Sequence, residues 1–378
     1  MGPDDMVKYF ILSLSMLGIS SVCSSCIKTL SDDFSQLEPS SIWFVCHRDE
    51  NSFSFGKVPG EARTAMTATV RPRVGIQAFA PAATHSGCRD ADGNYEPDGR
   101  NERAELWEED SVWLPLGTDI WYRFDMYVDD SVVPGADRTV IGQWKQTSGP
   151  LDASPVLAQR FTNRTFTITI EQDNDRPGRN PADAQCRILV ATEASSSDEI
   201  GHGGEHDVLA PPSSVPEKST VLSIGHASDS IRYDPIRGFS KAVDCTIDDI
   251  SITTFHPLPE VFGTWTTMVY HVRFLPDHNG LVEVWANGKA IARAAGRIGF
   301  RPTTPRSRQY FKFGPYRNHA SYETTSRLAH YIRSTRREDV DPQGLLTPTM
   351  AAKDARRDRG VERLPKPLRR REMQDTIR

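Results

Sequence analysis

Apolar and polar residues alternate with a period of two through much of the middle of the chain. Ala65–Val70 (AMTATV), Ile120–Val128 (IWYRFDMYV), Arg164–Ile170 (RTFTITI), Trp265–Phe274 (WTTMVYHVRF) and Gly280–Ala286 (GLVEVWA) are rich in β-branched and aromatic residues. Gly, Pro, Asn and Asp separate them. Short runs of this kind predict strands, and their number and spacing predict an all-β sandwich or jelly roll. Asn287-Gly288, between Leu281–Trp285 and Lys289–Ala294, predicts a hairpin closed by a type I′ turn. Helical periodicity is scarce before the C-terminal part, and the chain has no internal repeat.

The ends break this pattern. Lys8 precedes a short apolar run, Tyr9–Val22, followed by Ser24 and Ser25. The run is too short and serine-rich for a membrane span and fits the apolar centre of an export signal. Asp4 and Asp5 make its start less positive than usual, and Cys23 or Cys26 offers the alternative of a lipid anchor. The expected organisation is a signal over 1–26, a β domain over 27–334, and a disordered or loosely helical basic tail over 335–378. That reading predicts a secreted or periplasmic protein with no stable membrane insertion after cleavage. Pro81–Arg100 and Ser195–Lys218 are expected to be irregular surface loops.

Charge changes the picture only locally. The 378 residues carry a net charge of −5, which argues against a nucleic-acid-binding body. From His330 onward there are 13 Lys/Arg and 8 Asp/Glu, so the rest of the chain carries about −10. Attraction of a polyanion must therefore come from a focused basic cleft. Four cysteines lie beyond the leader: Cys46, Cys88, Cys186 and Cys245. None forms a CxxC pair, so metal ligation is not expected. Cys46–Cys88 and Cys186–Cys245 are the simplest disulfides, with four buried thiols as the alternative.

Three segments place polar residues at i and i+2 in a strand context, which sends them to one sheet face. Arg103 and Glu105 share a face in NERAEL, as do Gln143 and Lys145 in VIGQWK. In YFKFGPY, Tyr310, Lys312, Gly314 and Tyr316 share one face while Phe311 and Phe313 take the other. A face lined by Arg, Glu, Gln, Lys and Tyr suits the floor of a groove for a polar, anionic chain. Such a groove has the parts for β-elimination on a uronic acid. Arg and an amide neutralise the carboxylate while the C5 proton leaves, and acid–base groups move that proton. A tyrosine beside cations can serve as either acid or base.

RAEL, GQWK and YFKFGPYR, in this order and at these separations, resemble the signature strands of jelly-roll polysaccharide lyases. The similarity is greatest to the heparin lyase I-like group, with its R-x-E-L, Q-W-H and K-x-G-x-Y patterns, and extends to related alginate and glucuronan lyases. It covers roughly Ser52–Asn318 and implies a concanavalin A-like jelly roll acting on an anionic polysaccharide without a metal cofactor. It implies that Arg103, held by Glu105, engages the substrate carboxylate and that Gln143 helps neutralise it. Tyr316 matches the catalytic tyrosine, and Tyr310, Lys312 and Arg317 belong to the same substrate-binding segment. Lys145 departs from the pattern, which has His there. It can act as a carboxylate-binding cation, as a desolvated base, or have lost its role. His85 is a candidate histidine from the preceding loop, against the plainer reading of a bystander.

Fainter signals complete the inventory. Asp90, Asp92, Asn94 and Asp98 offer oxygen ligands for a structural calcium ion, with an acidic turn as the alternative. His202 and His206 have HxxxH spacing, but the intervening glycines argue against a zinc-binding helix. No phosphate loop, dinucleotide fingerprint or nucleophile elbow occurs. Glu105, Glu108 and Glu109 are spaced wrongly for the shared carboxylate face of a jelly-roll glycoside hydrolase. A hydrolase and a non-catalytic carbohydrate-binding protein remain the competing functions.

Overall fold

The computed structural model describes residues 29–47, 51–72, 101–130, 138–147, 155–162, 164–173, 185–194, 220–223, 250–318 and 320–349. Within them the chain forms two antiparallel sheets packed as a jelly roll. The back sheet runs β12 (Thr220–Ser223), β13 (Ile250–Thr254), β16 (Lys289–Ile298), β15 (Leu275–Ala286), β14 (Thr266–Arg273), β7 (Ile120–Val128), β18 (Thr324–Ser334), β4 (Thr64–Val70) and β3 (Phe53–Lys57). Beside β18 lies the short β1 (Leu30–Asp32). The front sheet runs β11 (Gln185–Thr192), β10 (Thr165–Asp173), β9 (Leu157–Thr162), β8 (Thr139–Gln146), β17 (Arg308–Asn318), β5 (Asn101–Glu108) and β2 (Trp43–His47), with β6 (Leu114–Pro115) also on β17.

Neighbouring strands are often far apart in sequence. β17 lies between β8 and β5, so the three motif segments become adjacent in the middle of the front sheet. The predicted hairpin forms between β15 and β16, and Asn287 and Gly288 both take positive φ, as a type I′ turn requires.

The layer between the sheets is aromatic. Phe311 packs 4.7 Å from Trp144 and 5.3 Å from Phe124, and Trp144 packs 4.5 Å from Tyr270. Truncating a ring of this kind to Ala costs about 3–5 kcal/mol, because a cavity is left as well as lost transfer energy. These rings hold the backbone of β8 and β17 in place from behind. A bulge at Ile141–Gly142 in β8 fits this packing. A Cβ on Gly142 would come 2.2 Å from Gln159 Oε1, and Gln159 donates to the buried Tyr270 hydroxyl at 2.7 Å.

Two ion pairs are sealed in this interior. Glu108 pairs with Arg333 at 2.7 Å, accepts the Phe311 N–H at 2.9 Å, and accepts the Tyr331 hydroxyl. Burial works against the Arg333 charge, but Glu108 raises the guanidinium above its ordinary value. Burial, reinforced by the Glu108 charge, also pushes the Tyr331 hydroxyl well up. Arg317 donates to Glu102 at 3.0 Å and to Thr324 Oγ1 at 2.6 Å.

The folded body continues past 334. Residues 335–349 cross the outside of the back sheet as a strap containing one helical turn, α1 (Arg337–Val340). Val340 and Leu346 pack against Trp121 and Trp285, and Trp285 Nε1 donates to the Thr347 carbonyl at 2.7 Å. The expected loose tail therefore begins as a docked segment. Residues 1–28 and 350–378, which hold the expected signal and most of the basic tail, lie outside the described residues.

Candidate active site

Alternation along β17 sends Phe311 and Phe313 into the core and Tyr310, Lys312 and Tyr316 to the outer face of the front sheet. Register aligns Lys312 with Trp107 on one side and Gln143 on the other, and Tyr316 with Arg103. Tyr310 aligns with Lys145.

Glu105 is the centre of this face. Its carboxylate accepts Gln143 Nε2 at 2.5 Å on one oxygen, and Arg103 Nη1 at 3.2 Å on the other. Trp107 Nε1 points at that second oxygen from 3.4 Å. The residue is wholly buried, and a carboxyl group stripped of water is costly unless such partners satisfy it. Gln143 and Glu105 sit on strands separated by β17, so their side chains must cross it. They do so near Gly314, which presents no side chain. Its φ is +131°, and a Cβ there would lie 2.0 Å from the Ala104 carbonyl oxygen, so glycine is required twice over.

Cations and aromatic faces surround this centre. The Arg103 guanidinium lies 4.3 Å from the Tyr316 ring centroid and that of Arg138 lies 5.1 Å from it. Lys312 Nζ sits 3.3 Å above the Trp107 ring and 5.6 Å from that of Tyr310. Trp113 stacks on Tyr310 with centroids 4.3 Å apart. Arg103, Gln143 and Lys312 are nearly sealed from solvent, whereas Tyr316 and Lys145 keep partial exposure. Lys145 and Tyr316 are at opposite ends of the face. The six residue-to-residue steps from Tyr310 to Tyr316 span about 20 Å of strand, with the Glu105 cluster between.

Arg103, Glu105, Gln143, Lys145, Tyr310, Lys312 and Tyr316 thus share one face, and Arg317 does not. Its neighbour Tyr316 points outward, so Arg317 points between the sheets, paired with Glu102 and lying 4.7 Å from the Tyr322 ring. Burial pulls its guanidinium below the ordinary value despite Glu102. The expectation that Arg317 binds substrate is corrected: it braces the sandwich. His85, the Asp90–Asp98 ligands, His202 and His206 lie outside the described residues. Among the described residues no three His, Cys, Asp or Glu side chains form a cluster suited to a metal.

Sequence reading missed several residues of this face. Trp107 continues the Arg103–Glu105 alternation by two, so its signal was present. Arg138 precedes its strand and Trp113 lies on a turn, where periodicity carries no information. Farther along the front sheet, Glu171 pairs with Arg187 at 2.7 Å and Arg160 at 3.3 Å. On the other side Cys46, in register with Glu105, is disulfide-bonded, as is Cys186. These cysteines are on the two edge strands, six strand spacings or about 28 Å apart, so they do not bond each other. Their partners, and hence the expected pairings, lie outside the described residues.

A family model described as polysaccharide lyase matches residues 62–336. The chain belongs to that family. Among solved structures, it is similar to an endo-β-1,4-glucuronan lyase from the fungus Trichoderma reesei. That match has 11% identity and a TM-score of 0.42, covering 79% of this chain and 98% of the other. An alginate lyase from Pseudomonas aeruginosa matches at 13% identity and a TM-score of 0.38, over 79% of this chain and all of the other. No curated protein matches.

Proposed function

We propose that this protein cleaves an anionic, uronate-containing polysaccharide by β-elimination. The observation that carries the reading is the convergence of Arg103 and Gln143 on Glu105 beside the Tyr316 ring. Glu105 orients both donors on the outer face of the front sheet, where the substrate carboxylate would lie against them. Charge spreading from C5 onto that carboxylate is then met by pre-aimed donors. Tyr316 takes the C5 proton and returns a proton to the departing oxygen. The C4–O bond breaks as the C4=C5 bond forms, and the net change is transfer of one proton from carbon to oxygen.

Lys145 acts in this reading as a cation for the substrate carboxylates. Its partial exposure and its distance along β17 from Tyr316 favour that role over base. The same proposal includes export by residues 1–26 and action outside the cytoplasm. Among the described residues no helix is long and apolar enough to cross a membrane.

The test is a panel of polyuronates assayed for the ultraviolet absorbance of the unsaturated end, with wild type, Tyr316→Phe and Lys145→Ala in parallel. Tyr316→Phe is expected to lower kcat about 10³-fold while polymer binding persists. A fully active Tyr316→Phe overturns the proton assignment. Folded wild-type protein that binds a polymer without raising absorbance is a binding protein, and new reducing ends without absorbance mark a hydrolase.

A further inference from the structure

We propose that Trp113 is the platform of a distal subsite, on which a uronate ring stacks with its carboxylate toward Arg308. This deepens the reading of the outer face as a polyuronate site and rests on it. Every other tryptophan of the chain packs into a hydrophobic cluster, and among the described residues Trp113 joins none. It lies flat on Tyr310 instead, with centroids 4.3 Å and planes 15° apart. Tyr310 is almost sealed from solvent while Trp113 is half-buried, so the indole is the ring of the pair that reaches the surface.

The fold holds this ring in advance. Trp113 Nε1 donates to the Glu108 carbonyl at 2.7 Å, and its backbone N–H donates to the Asp110 carbonyl at 3.3 Å. The buried Arg333 donates to the Val112 carbonyl at 2.6 Å and so pins the turn that carries the ring. A platform fixed beforehand loses little freedom on binding. Its polar atom is used by the fold, which leaves apolar ring surface for a ligand. The C–H face of a pyranose suits that surface, because its hydrogens meet the negative face of the π-system.

Arg308 supplies the second half of the match. It is exposed, and alternation along β17 puts it on the same outer face as Tyr310. Its Nη1 donates at 3.3 Å to the Asp110 carbonyl that also accepts the Trp113 N–H, so the guanidinium lies at the edge of the tryptophan. A sugar stacked on the indole then turns its carboxylate to a planar fork of donors. Tyr316 is about 20 Å away along β17, so only a chain of several sugars can reach both.

The experiment compares Trp113→Leu, Trp113→Phe and Arg308→Gln in the full chain, with circular dichroism to establish that each is folded. Leucine keeps apolar bulk over Tyr310 without a flat ring. Each variant is measured for turnover of oligouronates from trisaccharide up to polymer, and for retardation in gels containing alginate or glucuronan. Trp113→Leu is expected to raise KM about tenfold on polymer, least on the trisaccharide, with kcat nearly unchanged. Trp113→Phe shows the same dependence on length within about threefold of wild type. Arg308→Gln weakens retardation about threefold at low salt and not at about 1 M, whereas the Trp113→Leu loss persists in salt.

A loss equal at every chain length makes Trp113 a prop for Tyr310 and overturns the proposal. A Trp113→Leu protein with wild-type KM on polymer overturns it too. Arg308→Gln retarded like wild type at low salt overturns the placing of the carboxylate. Wild type that is retarded without turnover overturns the lyase reading alone, and the salt-resistant part of the retardation still decides the role of Trp113. No retardation by any polyuronate overturns both.

Discussion

Glu105 and Glu108 lie three residues apart on β5, both out of contact with water and both paired with arginine, yet they belong to different parts of the molecule. An odd spacing puts them on opposite faces of the strand. Glu108 turns inward to Arg333, Tyr331 and the Phe311 N–H, among groups that no substrate reaches. Glu105 turns outward to Arg103 and Gln143, beside the partly exposed Tyr316. Burial of a charge does not by itself mark a site. What separates the two is the side of the strand: Glu105 and its partners lie on the outer face of the front sheet, and Glu108 and its partners lie between the sheets.

The comparison breaks if the two carboxylates fail in the same way. Glu108→Ala is expected to have the largest effect, a loss of about 3–5 kcal/mol of stability, because Arg333 is left buried without its counter-charge. Chemical denaturation measures it, and turnover per folded molecule should stay near wild type. Glu105→Gln is expected to lower kcat/KM about 10²-fold by letting Arg103 and Gln143 drift from their aim. Its cost in stability should be smaller, about 1–3 kcal/mol. A Glu105→Gln protein that unfolds but keeps its specific activity would make both carboxylates structural.

Glu283, on the outer face of the other sheet, sharpens the distinction. Burial opposes its charge, but hydrogen bonds from His271 and Thr349, with charge from His271 and Arg293, hold its carboxyl below the usual range. Thr349 belongs to the C-terminal strap, so this carboxylate pins the strap to β15. Its folded value is depressed, so its contribution is complete above the unfolded value near about 4.3 and is lost as pH falls through the lower folded value. The expected effect is small: the melting gap between wild type and Glu283→Gln narrows from neutral pH toward pH ~3. Polyuronate turnover by Glu283→Gln at neutral pH should match wild type. A carboxylate on an outer face is thus structural when its partners hold a strap.

Much of the candidate site was legible because strands have a period of two. Tyr310, Lys312 and Tyr316 separate from Phe311 and Phe313 by that rule alone, and RAEL and QWK divide in the same way. Arg317 shows the limit of reading a motif as a string: the same alternation that turns Tyr316 outward turns Arg317 inward to Glu102. Trp107 followed the rule too, but tryptophan reads as packing until a lysine is found above it. The strap over 335–349 was hidden because a polar, proline-bearing stretch has no period, and its anchors are scattered contacts, among them those to Trp121, Trp285 and Glu283.

By itself the sequence determined the all-β class, the Asn287-Gly288 turn and the face taken by each residue of the three motif strands. These are local properties, set by backbone geometry and the spacing of apolar side chains. Only the tertiary structure decided that β17 inserts between β8 and β5, that Gln143 reaches Glu105 near Gly314, and that Lys312 rests on Trp107. Those contacts join residues up to about two hundred positions apart. Strand order and register come from closing one shared core, which no single segment encodes.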